Sequence, residues 1–345
     1  MGSSMERVSG GEGQELTKSC ASWSLFTLLF FLIFPLRAEA MTAGQWLERL
    51  GPALNMTSYR GVFVYGRGSQ MHSLRIVHRY HDGMVQERLV LQDGGSGEIV
   101  RKGMEVVCVL PRRGEVRLDQ IIPSGPFAEA YAGAGVPMNR WYTAKLEGDG
   151  RVAGYPVVVI ALTAKDAHRY SHKLWLEKST GLLVKSQIAN PDGKVLEHFQ
   201  FTSLEITDDI ADQEFEIQSR GKEVTMPLDG GRESDERLPV VGGWNLGWHP
   251  EGFMAAATPR SGRGQAVAYS DGIAAFSVFV EPEGKVRMPT GVSRIGATTV
   301  YMKALAVGDG RYMVTVVGEI PPETARLVAE SVRVEDVLAL NGESG

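Results

Sequence analysis

Two cysteines in 345 residues, Cys20 and Cys108, leave no room for a disulfide framework or a cysteine-rich zinc or iron–sulfur site. Basic residues are outnumbered, 36 Lys and Arg against 41 Asp and Glu, for a net charge of −5. The basic footprint of a nucleic-acid-binding protein is therefore missing. Also absent are G-x-S-x-G, the Walker A loop, H-E-x-x-H, the dinucleotide G-x-G-x-x-G and the EF-hand loop. Gly66-Arg67-Gly68 lacks the third glycine and follows a strand-like stretch instead of opening a helix. No nucleophile–base pair stands out, so the sequence argues against an enzyme and implies no cofactor. What is present is 43% apolar and 22% charged, enough to bury a core, over a length that suits two domains.

The one long hydrophobic run lies near the start. Ser19 to Leu36 carries no charge, Lys18 precedes it, and Ala38-Glu39-Ala40 follows with small residues where a signal peptidase reads. A basic flank, an apolar stretch and an A-x-A site read as a secretory signal, residues 1–40, cleaved after Ala40. An uncleaved anchor is the alternative, because 18 residues is the short edge of a spanning helix. Cleavage removes Cys20 and leaves 305 residues with Cys108 alone in an oxidising compartment, in a strand-like stretch that suits a buried inert thiol, with a redox sensor or an intermolecular disulfide as the alternative.

The mature chain reads as a helix followed by many strands. Thr42 with Gln45 forms the pattern of a capping box, and Trp46, Leu47, Leu50 and Leu54 keep helical spacing. The period then changes to two. Tyr59–Tyr65, Leu74–Arg79, Gln86–Leu91 and Met104–Leu110 are strand-like and separated by Gly and Asp. Residues 111–137 break the pattern, with four prolines, a short helix expected at Phe127–Ala132 and the pair Arg112-Arg113, which suits an anionic partner or a wetted loop. Strands resume through Val157–Leu162, Tyr170–Leu176, Leu182–Ile188 and Val195–Leu204. A meander this long must close, curl or hide its edges. From 206 to 240 acids are dense and large apolar residues sparse, which predicts an exposed linker. A smaller α+β unit is expected over 241–345, with strands Ile273–Val280, Val300–Leu305 and Tyr312–Val317 and a helix Glu323–Val332. His168 and His172, or His78 and His81, could hold a metal with a carboxylate, against the plainer reading of solvated or strand-end histidines.

Several stretches resemble the RseB/MucB family of sigma-E regulators. They include Tyr59-Arg60-Gly61-Val62-Phe63-Val64-Tyr65, Arg151-Val152-Ala153-Gly154-Tyr155-Pro156, Asp166-Ala167-His168-Arg169-Tyr170 and Leu196-Glu197-His198-Phe199-Gln200-Phe201. Further on they are Tyr269-Ser270-Asp271-Gly272, Gly296-Ala297-Thr298 and Val314-Thr315-Val316-Val317-Gly318-Glu319-Ile320-Pro321. The resemblance follows the mature chain in order. His249 departs from it, standing before Pro250 where Leu is expected.

The resemblance implies a fold and a role. The large domain, 41–205, would be a curled, unclosed antiparallel β-barrel with covering helices, like lipoprotein carriers, making the chain α+β. The chain would be periplasmic, bind the periplasmic part of a membrane-anchored anti-sigma factor and shield it from site-one proteolysis. Lipid or lipopolysaccharide would relieve the shielding, through a hinged pair of domains. A lipid or lipoprotein carrier is the alternative, and self-association into a homo-oligomer is left open. The partner surface is expected in the small domain, at Phe276, Val278, Val280, Tyr301, Val314 and Val316. Lipid contacts are expected in the large one, at Val62, Val64, Leu74, Ile76, Val157 and Val159, because its strands are apolar on both faces.

Overall fold

The computed structural model describes residues 40–93, 97–103, 105–110, 138–227, 243–255, 265–284, 289–308 and 310–334. The signal segment, the helix expected at Phe127–Ala132 and Arg112-Arg113 lie outside them. No helix among the described residues is long and apolar enough to cross a membrane. The described residues from Thr42 onward form one compact unit.

Helix α1, Ala43–Met56, opens with the expected box: the Thr42 backbone amide donates to Gln45 Oε1 at 2.8 Å and the Gln45 amide donates to Thr42 Oγ1 at 3.3 Å. Its apolar stripe, Trp46, Leu47, Leu50, Ala53 and Leu54, is buried. Ten strands follow: β1 Tyr59–Arg67, β2 Gln70–His81, β3 Met84–Leu91, β4 Glu98–Lys102, β5 Glu105–Leu110, β6 Tyr142–Val152, β7 Tyr155–Ala164, β8 Ser171–Glu177, β9 Leu183–Ala189 and β10 Val195–Ile206. A single helical turn, α2 Met138–Trp141, precedes β6. With β11, Lys222–Pro227, they build an eleven-stranded sheet in the order β11-β5-β4-β3-β2-β1-β10-β9-β8-β7-β6. Two meanders therefore run outward and meet where β10 pairs with β1. β11 and β6 end as separate edges, so the sheet is unclosed.

Of the segment expected as a linker, 206–240, residues 228–240 lie outside the described residues, and the described part packs on this sheet and joins it at Lys222–Pro227. After β10 the chain crosses back over β1–β4, with a 3-10 turn at Asp212–Phe215, before pairing as β11 with β5. Ile210 and Phe215 are buried against Val77. Two acids of this stretch, and Glu205 just before it, are matched to arginines far upstream. Arg60 meets Glu205 at 2.9 Å and Glu214 at 2.7 Å, and Arg79 pairs with Asp212. Glu98, fully buried, accepts from Arg88 and from the amides of Gln218 and Ser219. Glu214 is partly covered by its arginine partner, whereas Asp208, Asp209, Asp212 and Glu216 stay exposed, as the acid density suggested.

A second sheet has six strands: β13 Met254–Ala255, β14 Gln265–Ser270, β15 Ala275–Pro282, β16 Gly291–Ile295, β17 Thr298–Val307 and β18 Gly310–Gly318, in the order β13-β14-β15-β18-β17-β16. Helix α3, Pro322–Ser331, starts on the double proline and packs on this sheet, burying Ala325, Val328 and Ala329. A small ladder of β12, Trp244–Leu246, with β19, Val332–Val334, ends the described chain.

Candidate functional site

The two sheets meet through buried charge. Arg169, in the β7–β8 loop, and Asp271, in the β14–β15 turn, are both 0% exposed. Arg169 Nη1 donates to Asp271 Oδ2 at 2.6 Å, Nη2 to the Glu251 carbonyl at 2.6 Å, and Nε to Asp166 at 3.1 Å. Tyr142 donates its hydroxyl to the same Asp271 oxygen at 3.0 Å, and Asp271 Oδ1 accepts the amides of Ile273 and Ala274. The guanidinium lies over the rings of Trp141 and Phe253, 5.1 and 5.0 Å from their centroids. Gly252, at φ +87°, lets the backbone pass this close: a Cβ there would lie 2.2 Å from Trp141 Nε1.

A second contact forms on β1 and β10. Glu197 Oε2 accepts from the Tyr65 hydroxyl at 2.6 Å, and Oε1 accepts from the Ala297 amide at 2.9 Å. Arg67 stands 3.5 Å from Glu197 and donates to the Ile295 carbonyl at 3.0 Å. Gly296 makes the turn at φ +61°, and a Cβ on it would sit 2.5 Å from Arg67. Burial raises the Glu197 carboxyl. Burial, and then the Glu197 charge, push Glu319 up to about 7. Tyr170, Leu196 and Ala297 make an apolar patch beside these groups.

The histidines do not form a metal site. His168 precedes β8 and turns its ring to Thr324 and Trp248, whereas His172 is buried against Tyr142 and pushed down to about 4 by burial. His78 stacks on Tyr59 with centroids 5.1 Å apart, and His81 is exposed beside Asp82. Among the described residues no three His, Cys, Asp or Glu side chains group to hold an ion. One cross-strand row, Tyr59–His78–Glu87–Arg101, carries a buried acid that sequence reasoning missed. Burial pushes Glu87 up to about 8 and His78 down to about 4, so this pair is mainly neutral at pH 7. Cys108 is buried in β5.

Comparison with known proteins gives this geometry a family. Residues 42–219 match the MucB/RseB N-terminal domain and residues 240–333 the MucB/RseB C-terminal domain. The sigma factor AlgU regulatory protein MucB of Pseudomonas aeruginosa is 36% identical over 320 residues, which cover 90% of this chain and 97% of that protein. The chain belongs to the MucB/RseB family. The sigma-E factor regulatory protein RseB of Escherichia coli is 27% identical, over 88% of this chain and 94% of its own. The complex structure of Pseudomonas aeruginosa MucA/MucB superposes with a TM-score of 0.66 at 33% identity, covering 86% of this chain and 99% of that one. A crystal structure of MucB gives 0.60 at 34% identity, covering 85% and 98%.

Within this MucB/RseB fold the expected contact residues are placed differently from the sequence reading. Phe276, Val278, Val280, Val314 and Val316 are core, at most 2% exposed beneath α3. They lie on β15 and β18, which have neighbours on both sides, so neither strand offers a free edge; Tyr301 alone is part-exposed. The six lipid candidates divide between two faces. Phe63 opposes Leu74 and Val62 opposes Arg75, so Leu74 and Ile76 share the face of Phe63 and Val62 and Val64 take the other. Following the register across β10, β9 and β8 puts Val159 and Val157 with Val62 and Val64. Leu74, Ile76, Val157 and Val159 are buried, and only Val62 and Val64 keep part of their surface. Alternating residues of one strand had been grouped with same-parity residues of the next, and parity does not carry across a hairpin.

Proposed function

We propose that the chain is an exported negative regulator of the envelope stress response. It binds the periplasmic part of a membrane-anchored anti-sigma factor and shields it from site-one proteolysis, and lipid or lipopolysaccharide relieves the shielding. One observation carries the reading: the chain aligns along 90% of its length with a sigma factor regulator whose solved complexes, MucA/MucB and MucB with MucA(peri), hold a periplasmic segment. The second sheet, pinned to the first by the buried Arg169–Asp271 pair and by hydrogen bonds from Arg67 and to Glu197, supports a two-part binding protein over a carrier that needs only the first sheet.

The test is a protection assay. The mature chain, the anti-sigma periplasmic segment and the site-one protease are mixed, and cleavage is followed with and without a soluble lipopolysaccharide fragment. Cleavage slowed by a stoichiometric amount of the chain and restored by the fragment is expected. Cleavage at the same rate with and without the chain refutes the reading. Protection that the fragment leaves intact removes only the lipid step.

A further inference from the structure

The two contacts that pin the sheets are not balanced alike. At the first, one buried guanidinium meets one buried carboxylate. Every nitrogen of Arg169 has a partner, and both oxygens of Asp271 are satisfied. The second contact holds more acid than base. Buried Glu197 has Arg67 as its counter-charge at 3.5 Å. Glu319 comes from the other sheet, one residue past β18, and is part-buried. Its carboxyl makes no hydrogen bond or ion pair of its own among the described residues. The buried Thr298 hydroxyl beside this contact also lacks a partner.

Charged and titratable groups reach this contact from several elements. From β10, the Glu197 charge opposes ionisation of Glu319; from β1, Arg67 favours it, and Tyr65 feels the Glu319 charge. Tyr170, ahead of β8, and Arg294 of β16 complete the set, with Tyr170 feeling both Arg294 and Glu197. Glu323, at the start of α3, is paired with Arg326. The backbone holds Glu319 in place. Its amide donates to the Ala275 carbonyl at 3.0 Å, and a Cβ on Gly318 would lie 2.4 Å from that same oxygen. Covering a carboxylate that has no partner costs far more than covering the neutral acid. The closed junction therefore takes Glu319 with its proton on, and an open, wet junction lets the proton go.

We propose that Glu319 is a proton latch for the junction: protonated, it lets the Glu197–Ala297 contact close, and ionised, it repels Glu197 and favours the open form. Burial, and then the Glu197 charge, hold this acid up to about 7 in the closed form, against an ordinary 4.5 when wet. The closed form binds the extra proton, so closure is favoured by acid and lost as pH rises through 7. Between about pH 6 and 8 the closed-to-open ratio falls about tenfold. The latch needs no ligand and stands whether or not lipid relieves the shielding.

The experiment is amide exchange on the full mature chain, read as protection factors at two positions. Ala297 reports the junction, because its N–H reaches across to Glu197 at 2.9 Å; Val316 reports the core of the second sheet. Ala297 is expected to be less protected than Val316, and its protection to fall about tenfold from about pH 6 to 8. Glu319→Gln, which mimics the protonated acid, should keep Ala297 protection level across that range. Glu197→Gln keeps acceptors for Tyr65 and Ala297 but removes the opposing charge, so its fall should come at lower pH. Equal protection at Ala297 and Val316 means that the junction opens only by unfolding, and overturns the proposal. A wild-type Ala297 whose protection ignores pH also overturns it, since Glu319 then turns into water within a closed junction. So does the same fall in Glu319→Gln as in the wild type.

Discussion

Asp271→Asn is the sharpest probe of the junction. The carboxylate is fully buried and makes four hydrogen bonds: to Arg169, to Tyr142 and to two backbone amides. Asn keeps the volume and one oxygen for the Ile273 and Ala274 amides, but it leaves the Arg169 guanidinium without its buried counter-charge. Removing one partner of a buried pair costs about 3–5 kcal/mol. Asp166 and the rings of Trp141 and Phe253 still hold the guanidinium, so the low end, about 3 kcal/mol, is expected. At roughly 2.1 cal/mol/K of unfolding entropy per residue over about 300 residues, that lowers the melting temperature by about 5 °C. Arg169→Met should cost a similar amount, because it strands the Asp271 charge. The double variant should recover at least about 1.5 kcal/mol of the summed losses, since neither charge is then left alone. The assay is thermal and urea unfolding of the four proteins. A single-variant loss within the noise, or strictly additive losses, refutes the claim that these charges are coupled across the two sheets.

Three further outcomes follow from the same geometry. Phe215→Ala should cost about 3–5 kcal/mol, as for a buried aromatic, whereas a linker residue would cost almost nothing; urea unfolding decides. Gly296→Ala forces a side chain into the left-handed region and against Arg67 and Glu197, for a loss of at least about 2 kcal/mol, read as a fall in melting temperature. Stability should fall as pH rises from about 6.5 to 8. Glu87 and Glu319, held near 8 and 7 in the fold, bind more protons there than in the unfolded chain, and this outweighs the protons that the buried histidines, neutral in the fold, take up only when unfolded; Glu87→Gln and Glu319→Gln should each flatten the slope.

Much of the fold was legible because it rests on local periodicity. Helix α1 follows from Thr42, Gln45 and the spacing of Trp46 to Leu54, and most long strands from apolar runs between turn residues; β6, exposed from Thr143 to Arg151, was not read because it has no alternation. The misreading of 206–227 had a physical cause. Asp212 is solvated as its sequence suggests, but the apolar anchors Ile210 and Phe215 are too few to announce a packed segment, and Glu214 meets Arg60, 154 residues away, only in the fold. The contact residues failed for a related reason. Phe276 and Val314 carry the apolar signal of a binding strand, but a central strand gives the same signal, and only strand order separates the two. The junction was partly visible: Arg169, Glu197 and Asp271 all lay in the stretches that carried the family resemblance, yet nothing in the sequence said that they meet.

These pins bear on how a lipid could relieve shielding. A ligand shifts an equilibrium only by its difference in affinity between two states. Sliding the sheets while keeping the junction dry would strand Arg169, Asp271 and Glu197 at several kcal/mol each. Opening wide enough to admit water lowers that cost toward the 0–1 kcal/mol of an exposed pair. Partial opening is therefore the least favourable arrangement, and the junction is either closed and dry or open and wet. What opening then costs is the apolar contact of Tyr170, Leu196 and Ala297 with the lost hydrogen bonds, a few kcal/mol. An acyl chain buried only in the open state contributes about 0.8 kcal/mol per methylene. Two methylenes fall short of that preference and eight exceed it, so in this scheme the length of the acyl chain, more than the charge of its headgroup, sets whether shielding is lifted.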